Sequence, residues 1–204
     1  MSLKNTLLET LTIILLLVSL PSIAQTVANI TVLEGEAKLL AAISQQTTSL
    51  KVGDKIQIND VVSTGKSTKL KVVLLDKTVL DLGENSVLVV DQFVLGDSTS
   101  KGSVGASFKK GLFRYISGKT AKNKGMVKIK VPDAVITVRG TKFEALINDV
   151  NIPGQLPKTS ILLETGAISI KSGDIIQELN QAGFVVDING LGKVSKPAEN
   201  RRCL

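Results

Sequence analysis

The sequence has 204 residues, of which 43% are hydrophobic and 21% charged, with a net charge of +7. This is typical of one globular domain with an apolar core. The chain has no histidine and one cysteine, Cys203, which excludes a histidine-dependent nucleophile, a Cys/His zinc site and an internal disulfide. We therefore expect no catalytic residue, no metal and no cofactor, and hence a protein that is not an enzyme.

The first 24 residues have the pattern of an export signal. Lys4 precedes an apolar run from Leu11 to Leu20, which is too short for a membrane span of about 20 residues. Ser22 and Ala24 then form a small-residue cleavage site. We predict a signal peptide over residues 1–24 and a periplasmic or secreted location. The alternative is an apolar segment that is not cleaved and remains as a membrane anchor.

Residues 25–194 predict one all-β domain. Aromatic residues make up only 3% of the chain and Trp is absent, so the core must be aliphatic, and β-branched aliphatic residues favour strands. Short apolar stretches such as Ile56–Ile58, Leu70–Leu75 and Val79–Leu82 alternate with Gly, Asn and Asp turns. This pattern indicates many short strands in a solenoid-like or sandwich-like arrangement, with little or no helix. Residues 195–204 predict a polar, frayed tail.

Residues 96–125 have a different composition, rich in Gly, Ser and Lys. Between Ser98 and Pro132 there are nine Lys or Arg residues and no acidic residue. We predict a mobile, basic loop excursion with one short strand around Leu112–Ile116. A basic exported domain is suited to anionic surfaces, and the alternative is a solvated loop with no partner. The candidate contacts to an anionic partner are Lys109, Lys110, Arg114, Lys119, Lys122 and Lys124.

Strands are predicted again from Met126 onwards, over Val135–Val138, Phe143–Ile147, Ser160–Leu163 and Ala167–Ile170. Gly140, between the first two of these strands, indicates a bulge or a close backbone approach. Arg139 carries five hydrogen-bond donors in a planar fork. We expect it to connect neighbouring strands through carbonyls or a carboxylate, and the alternative is that it binds a ligand.

These residues form the pattern Val138-Arg139-Gly140-Thr141-Lys142-Phe143, preceded by a turn at Pro132. The pattern resembles the signature of the FecR domain, whose matching positions here are Pro132, Arg139, Gly140, Thr141 and Phe143. The resemblance extends over about residues 30–190 and includes Leu163-Glu164-Thr165-Gly166 and Leu50-x-x-Gly53-Asp54. We expect the signature residues to have structural roles.

The sequence departs from the FecR pattern in three ways. Val131 replaces a usual Thr, and Asp76-Lys77-Thr78 replaces a usual Asp-Gly-Ser turn. FecR regulators also carry a cytoplasmic segment that controls a sigma factor, and too few residues precede the apolar run for such a segment here. The resemblance therefore implies an envelope β-domain used for protein contact or sensing, without the sigma-factor function.

The expected function is that of a non-catalytic, exported FecR-like module for protein interaction or signalling in the bacterial envelope. One alternative is binding of an anionic envelope polymer through the Lys-rich stretch, and a membrane surface is a further candidate. A carbohydrate-active enzyme is less well supported, because sugar sites usually stack sugars on exposed aromatic rings and the chain has no Trp and one Tyr. We expect no nucleic-acid partner. The sequence leaves the oligomeric state open.

Overall fold

The computed structural model describes residues 25–96, 100–148 and 158–200, which form fifteen strands and one short helix. The predicted signal peptide lies outside the described residues. The strands are β1 (Thr26–Glu34), β2 (Ala37–Leu40), β3 (Thr47–Ser49), β4 (Lys55–Gln57), β5 (Val61–Thr64), β6 (Lys69–Leu74), β7 (Val79–Leu82), β8 (Val87–Val94), β9 (Ser103–Ile116), β10 (Met126–Val131), β11 (Ala134–Asn148), β12 (Lys158–Ser172), β13 (Ile175–Leu179), β14 (Phe184–Asn189) and β15 (Ala198–Glu199), and the helix is α1 (Lys119–Lys122). The prediction of an all-β single domain is confirmed. No helix in these ranges is both long enough and apolar enough to cross a membrane.

All fifteen strands belong to one continuous sheet that folds over a single apolar core. The three long strands β9, β11 and β12 each contribute one half to each of two layers. The first layer contains β4, β1, β6, β7, the C-terminal halves of β9 and β11, the N-terminal half of β12, β14 and β15. The second layer contains β3, β2, β5, β8, the N-terminal halves of β9 and β11, β10, the C-terminal half of β12, and β13.

The long strands pass between the layers at bulges. In β11 the buried side chains fall on even positions up to Val138 and on odd positions from Thr141 onwards, and the register shifts between Arg139 and Phe143. A bulge adds one residue, so the same face stays buried after the bend. The sequence predicted separate strands here, and likewise on both sides of Gly166 in β12. That prediction is wrong, because a glycine in the left-handed region bends a strand without ending it.

The bends lie at two opposite corners of the molecule. Gly140 and Gly166 mark the first corner, and Gly111 in β9 marks the second, each with positive φ. Gly111 pairs with Ile147, which is six residues along β11 from Thr141. At about 3.3 Å per residue, the two corners are therefore roughly 20 Å apart.

The predicted loop over residues 96–125 is wrong for most of its length. β9 occupies Ser103–Ile116 and pairs with four neighbouring strands, β7, β8, β10 and β11. The strand predicted around Leu112–Ile116 is only its C-terminal half. The inward-facing residues include Val104, Phe108 and Phe113, whereas Gly, Ser and Lys occupy outward positions. A central strand needs only one apolar face, so the polar composition did not reveal it.

The polar C-terminal segment is also more ordered than predicted up to Asn200. Ala198 and Glu199 form β15 beside β14. The Ser195 amide donates to the Asp187 carbonyl at 2.8 Å, and the Asn200 amide donates to the Gly183 carbonyl at 2.8 Å. Backbone pairing at a sheet edge requires no apolar side chains, so composition alone predicted a frayed tail. Residues 201–204 lie outside the described ranges.

Candidate functional site

The signature residues of β11 build the first corner. Val138 and Phe143 are buried on either side of Gly140, whose φ is +62°. The Phe143 ring stacks on Tyr115 with ring centroids 5.3 Å apart. The Thr141 hydroxyl donates to the Ala167 carbonyl on β12 at 2.7 Å. Four of the five signature residues therefore have positions that suit the expected structural role, with Pro132 in an exposed turn between β10 and β11.

Arg139 does not connect strands as expected. Its side chain is exposed, and its guanidinium forms no hydrogen bond or ion pair with any residue in the described ranges. The backbone at this position is nevertheless held firmly, because Arg139 pairs with Ala167, follows buried Val138, and lies two residues before Thr141, which donates a hydrogen bond to β12. The corner therefore presents the fork of Arg139 to solvent on a fixed backbone.

A crossover segment, residues 117–125, spans the same corner. It joins the end of β9 in the first layer to β10, which runs parallel to the start of β9 in the second layer. It contains α1, whose Thr120 and Ala121 are buried. Buried Asp76 anchors it, since the Lys119 amide donates to the Asp76 carbonyl at 2.7 Å and the Thr120 amide donates to Oδ2 at 3.3 Å. The lysines of the crossover face outward as a result.

We call the cations of this region the basic corner. All are exposed, and none forms an ion pair with a described residue. Lys77 follows the anchoring Asp76, and Lys101 precedes Gly102, whose carbonyl accepts the Met126 amide at 3.0 Å. The basic corner consists of Lys77, Lys101, Lys119, Lys122, Lys124 and Arg139.

The outer face of the first layer differs because most of its charges are paired. Arg114 donates from Nε to Glu164 Oε1 at 2.6 Å and from Nη2 to Oε2 at 2.8 Å. Lys142 Nζ lies 2.7 Å from the same carboxylate. Further pairs on this face are Lys69–Glu34, Lys71–Asp81, Arg114–Glu144 and Lys158–Asp187. Six of the seven ion pairs among the described residues lie on this face, and the seventh is Lys130–Asp91.

The ion pairs shift the pKa values of Glu164 and Arg114 in opposite directions. The hydrogen bond from Arg114 is the largest cause of a lowered pKa of the Glu164 carboxyl, and Lys142 adds to it. The hydrogen bond to Glu164 in turn raises the pKa of Arg114 above its usual range. Arg114 is therefore committed to carboxylates of its own chain. Its ion pairs distinguish it from the unpaired lysines with which the sequence grouped it.

The predicted anion contacts are thus divided among three places. Lys119, Lys122 and Lys124 lie together on the crossover. Lys109 and Lys110 are exposed next to Gly111 at the opposite corner, on a strand and not on a loop. Sequence reasoning did not single out Lys77 and Lys101 as members of the basic corner. Their association follows from the pairing of β9 with β10 and from the Asp76 anchor, which are contacts between residues distant in sequence.

The described residues contain no group of three His, Cys, Asp or Glu side chains that could hold a metal ion. The most strongly perturbed buried group is Tyr115, whose pKa burial raises to about 12. Hydroxyls of Ser117 and Thr78 oppose this shift in part. The Tyr115 hydroxyl lacks a hydrogen bond of good geometry within the described part of the chain, and the ring lies wholly inside the core.

Comparison with known proteins identifies relatives of this fold. A family model described as FecR protein matches residues 60–169, more than half of the chain. Two crystal structures of a proposed anti-sigma factor from Parabacteroides distasonis are similar, each with a TM-score of 0.53, at 16% and 15% identity over 69% of this chain. The chain spans 60% of the length of those structures, and at this identity the likeness concerns the fold alone. No curated protein matches the sequence.

Proposed function

The chain belongs to the FecR family, and from this membership together with the basic corner we propose that it is a non-catalytic interaction module with a signalling or regulatory accessory role in the bacterial envelope. The structural relatives are described as a proposed anti-sigma factor, and this description supports a regulatory role. The pattern of the first 24 residues supports the envelope location.

The separation of charge over the surface carries this proposal. The first layer pairs most of its cations with its own carboxylates, whereas the basic corner leaves six cations exposed and unpaired among the described residues. The two carboxylates that border this corner already have partners. Asp76 accepts hydrogen bonds from the Thr78 hydroxyl and from backbone amides. Glu164 pairs with Arg114 and Lys142. Such a field attracts an acidic partner and speeds its association.

The experiment compares two triple variants of equal charge. One replaces Lys119, Lys122 and Lys124 by Gln at the basic corner. The other replaces Lys66, Lys109 and Lys110 by Gln at the opposite corner, where the Asn85 amide donates to the Gly65 carbonyl next to Lys66 at 3.1 Å and Val87 pairs with Lys110. All six side chains are exposed, so both variants should fold. Wild type and variants are used to retrieve partners from envelope extracts at several salt concentrations.

We expect one specific protein partner to be lost with the first variant and retained with the second. Equal loss with both variants would show that only net charge matters and would contradict the proposal. Cleavage of cell-wall glycan by the purified wild type would contradict the non-catalytic assignment.

A second candidate function is binding of an anionic envelope polymer, favoured by the same unpaired lysines. It predicts retention on vesicles containing phosphatidylglycerol or on an acidic polysaccharide without any protein partner. The same pair of triple variants distinguishes site-specific retention from general attraction, because they differ in position and not in charge.

A further inference from the structure

Arg139 has an apolar neighbour that distinguishes it from the other cations of the basic corner. Val127 of β10 pairs with Val138 of β11 in antiparallel register, so the next residues, Met126 and Arg139, face each other across the two strands. Both valines are buried and both neighbours are exposed, with Met126 54% exposed. Side chains in such cross-strand positions have Cβ atoms about 5 Å apart. The Met126 and Arg139 side chains therefore project from neighbouring cross-strand positions on the outer face of the second layer.

The backbone under this pair is fixed from three sides. The Ser117 amide donates to the Thr141 carbonyl at 3.0 Å, and the Thr141 amide donates to Ser117 Oγ at 2.7 Å. Ala167 of β12 pairs with Arg139 on the other side. Ser103 of β9 pairs with Met126. A side chain projecting from a fixed backbone loses little entropy on binding apart from its own rotamers.

We propose that Arg139 and Met126 form the anchor of the partner site, and that the partner is a protein segment in which a carboxylate side chain lies next to an apolar one. This inference rests on the proposed function and specifies the partner that the basic corner receives. The guanidinium fork matches the two oxygens of a carboxylate, and Arg and Met are both enriched at protein interfaces. An acidic polymer or lipid headgroup offers the anion but gives exposed Met126 no apolar counterpart.

The experiment uses the full-length ¹⁵N-labelled chain and two synthetic peptides of equal negative charge. One peptide alternates Glu with Leu, and the other alternates Glu with Ser. Affinity and amide chemical shifts are followed by NMR during titration. Vesicles of phosphatidylglycerol serve as a third probe. The expected result is preferential binding of the Glu–Leu peptide, with shifts at Met126, Arg139 and Ala167.

Three single variants and one control variant separate the anchor from bulk charge. Arg139→Gln should weaken binding of the Glu–Leu peptide by about tenfold or more, because the charge-assisted hydrogen bonds from the guanidinium to the carboxylate are lost. Arg139→Lys should restore only part of the loss, because an ammonium cannot form the two-pronged contact. Met126→Ser should weaken binding of the Glu–Leu peptide and leave binding of the Glu–Ser peptide unchanged. Lys122→Gln, the matched control, should affect both peptides equally and mildly.

The anchor is overturned if Arg139→Gln and Lys122→Gln have the same effect, or if the two peptides bind alike. That outcome leaves the basic corner as a charged surface and the proposed function intact. Preferential binding to the vesicles also overturns it and identifies a membrane as the partner. If the triple variant at Lys119, Lys122 and Lys124 binds both peptides as tightly as wild type does, the proposed function itself is contradicted.

Discussion

Ser117 and Thr141 exchange two hydrogen bonds across the first corner, one from the Ser117 amide to the Thr141 carbonyl at 3.0 Å and one from the Thr141 amide to Ser117 Oγ at 2.7 Å. Both residues are buried. This exchange ties the beginning of the crossover to the bulge in β11, so the position of the basic corner depends on it.

Replacing Ser117 by Ala should destabilise the protein by about 1–3 kcal/mol, because the buried Thr141 amide loses its acceptor. Urea unfolding at neutral pH measures the change. Ser49→Ala on exposed β3 is the matched control and should change the free energy of unfolding by less than about 0.5 kcal/mol. Equal effects of the two substitutions would show that the exchange does not hold the corner.

The two glycines of the first corner should respond differently to Ala. At Gly140, with φ of +62°, an added Cβ meets no atom within 4 Å, so the cost is backbone strain alone, about 1 kcal/mol. At Gly166, with φ of +87°, the Cβ would lie 2.5 Å from the Gly140 carbonyl oxygen. Gly166→Ala should therefore be at least about 1 kcal/mol more destabilising than Gly140→Ala. Thermal unfolding of both variants provides the comparison, and a reversed order contradicts this account of the bend.

Glu164 should stabilise the protein in a pH-dependent manner. Its pKa is lowered in the folded state, so the stabilisation is fully present above its ordinary value of 4.5 and is lost as the pH falls through the folded pKa. Glu164→Gln should cost about 1 kcal/mol at pH 7, a value that allows for partial exposure of Arg114. The difference from wild type should shrink below pH 4.5.

Urea titrations between pH 7 and pH 3 test this dependence. Glu34→Gln is the control, because the Glu34–Lys69 pair is highly exposed and its atoms are 3.6 Å apart. It should have an effect below about 0.5 kcal/mol at every pH. A Glu164→Gln deficit that stays constant as the pH falls would argue against the ion-pair explanation.

Tyr115 should make the protein sensitive to alkali. Burial raises its pKa from 10.0 to about 12, so the folded state holds the neutral phenol while the unfolded chain ionises. The stability from this group is fully present below pH 10 and declines as the pH rises towards 12. Tyr115→Phe should remove this part of the decline and cost little at pH 7, because the hydroxyl has no hydrogen bond of good geometry with the described residues.

The alkaline effect is measured as the difference between wild type and Tyr115→Phe in urea midpoint from pH 8 to pH 11. The difference cancels contributions from lysines, which are common to both proteins. A large loss of stability for Tyr115→Phe at pH 7 would show that the hydroxyl is hydrogen-bonded after all.

Local pattern was sufficient to predict the strands with alternating or continuous apolar residues. Leu70–Leu75 and Val79–Leu82 correspond to β6 and β7, and Met126–Val131 forms β10. The Asp76-Lys77-Thr78 turn is also present, with Lys77 at φ of +69°. In these strands buried and more exposed residues alternate along the chain, so the local sequence pattern is enough to predict them.

Long-range contacts determine what the sequence could not predict. The N-terminal half of β9 was missed because its neighbours bury one face, while the other face accepts Gly, Ser and Lys. Arg114 was grouped with nearby lysines, although its carboxylate partner Glu164 lies 50 residues further along the chain. Arg139 was expected to have an internal partner, but its side chain faces outward. Proximity in sequence therefore predicted a basic segment without distinguishing its paired cations from its free ones.

Strands β9, β11 and β12 have a consequence for unfolding, because each is shared by both layers. Neither layer can separate while these strands remain intact, so slow amide hydrogen exchange in β6 and in β10 should report the same opening event with the same protection. Many of the pairings also join residues far apart in sequence, as Ala28 with Leu74 and Val79 with Ile116 do. Such topology slows folding relative to helical proteins of similar size. The domain should therefore fold slowly and unfold as one cooperative unit.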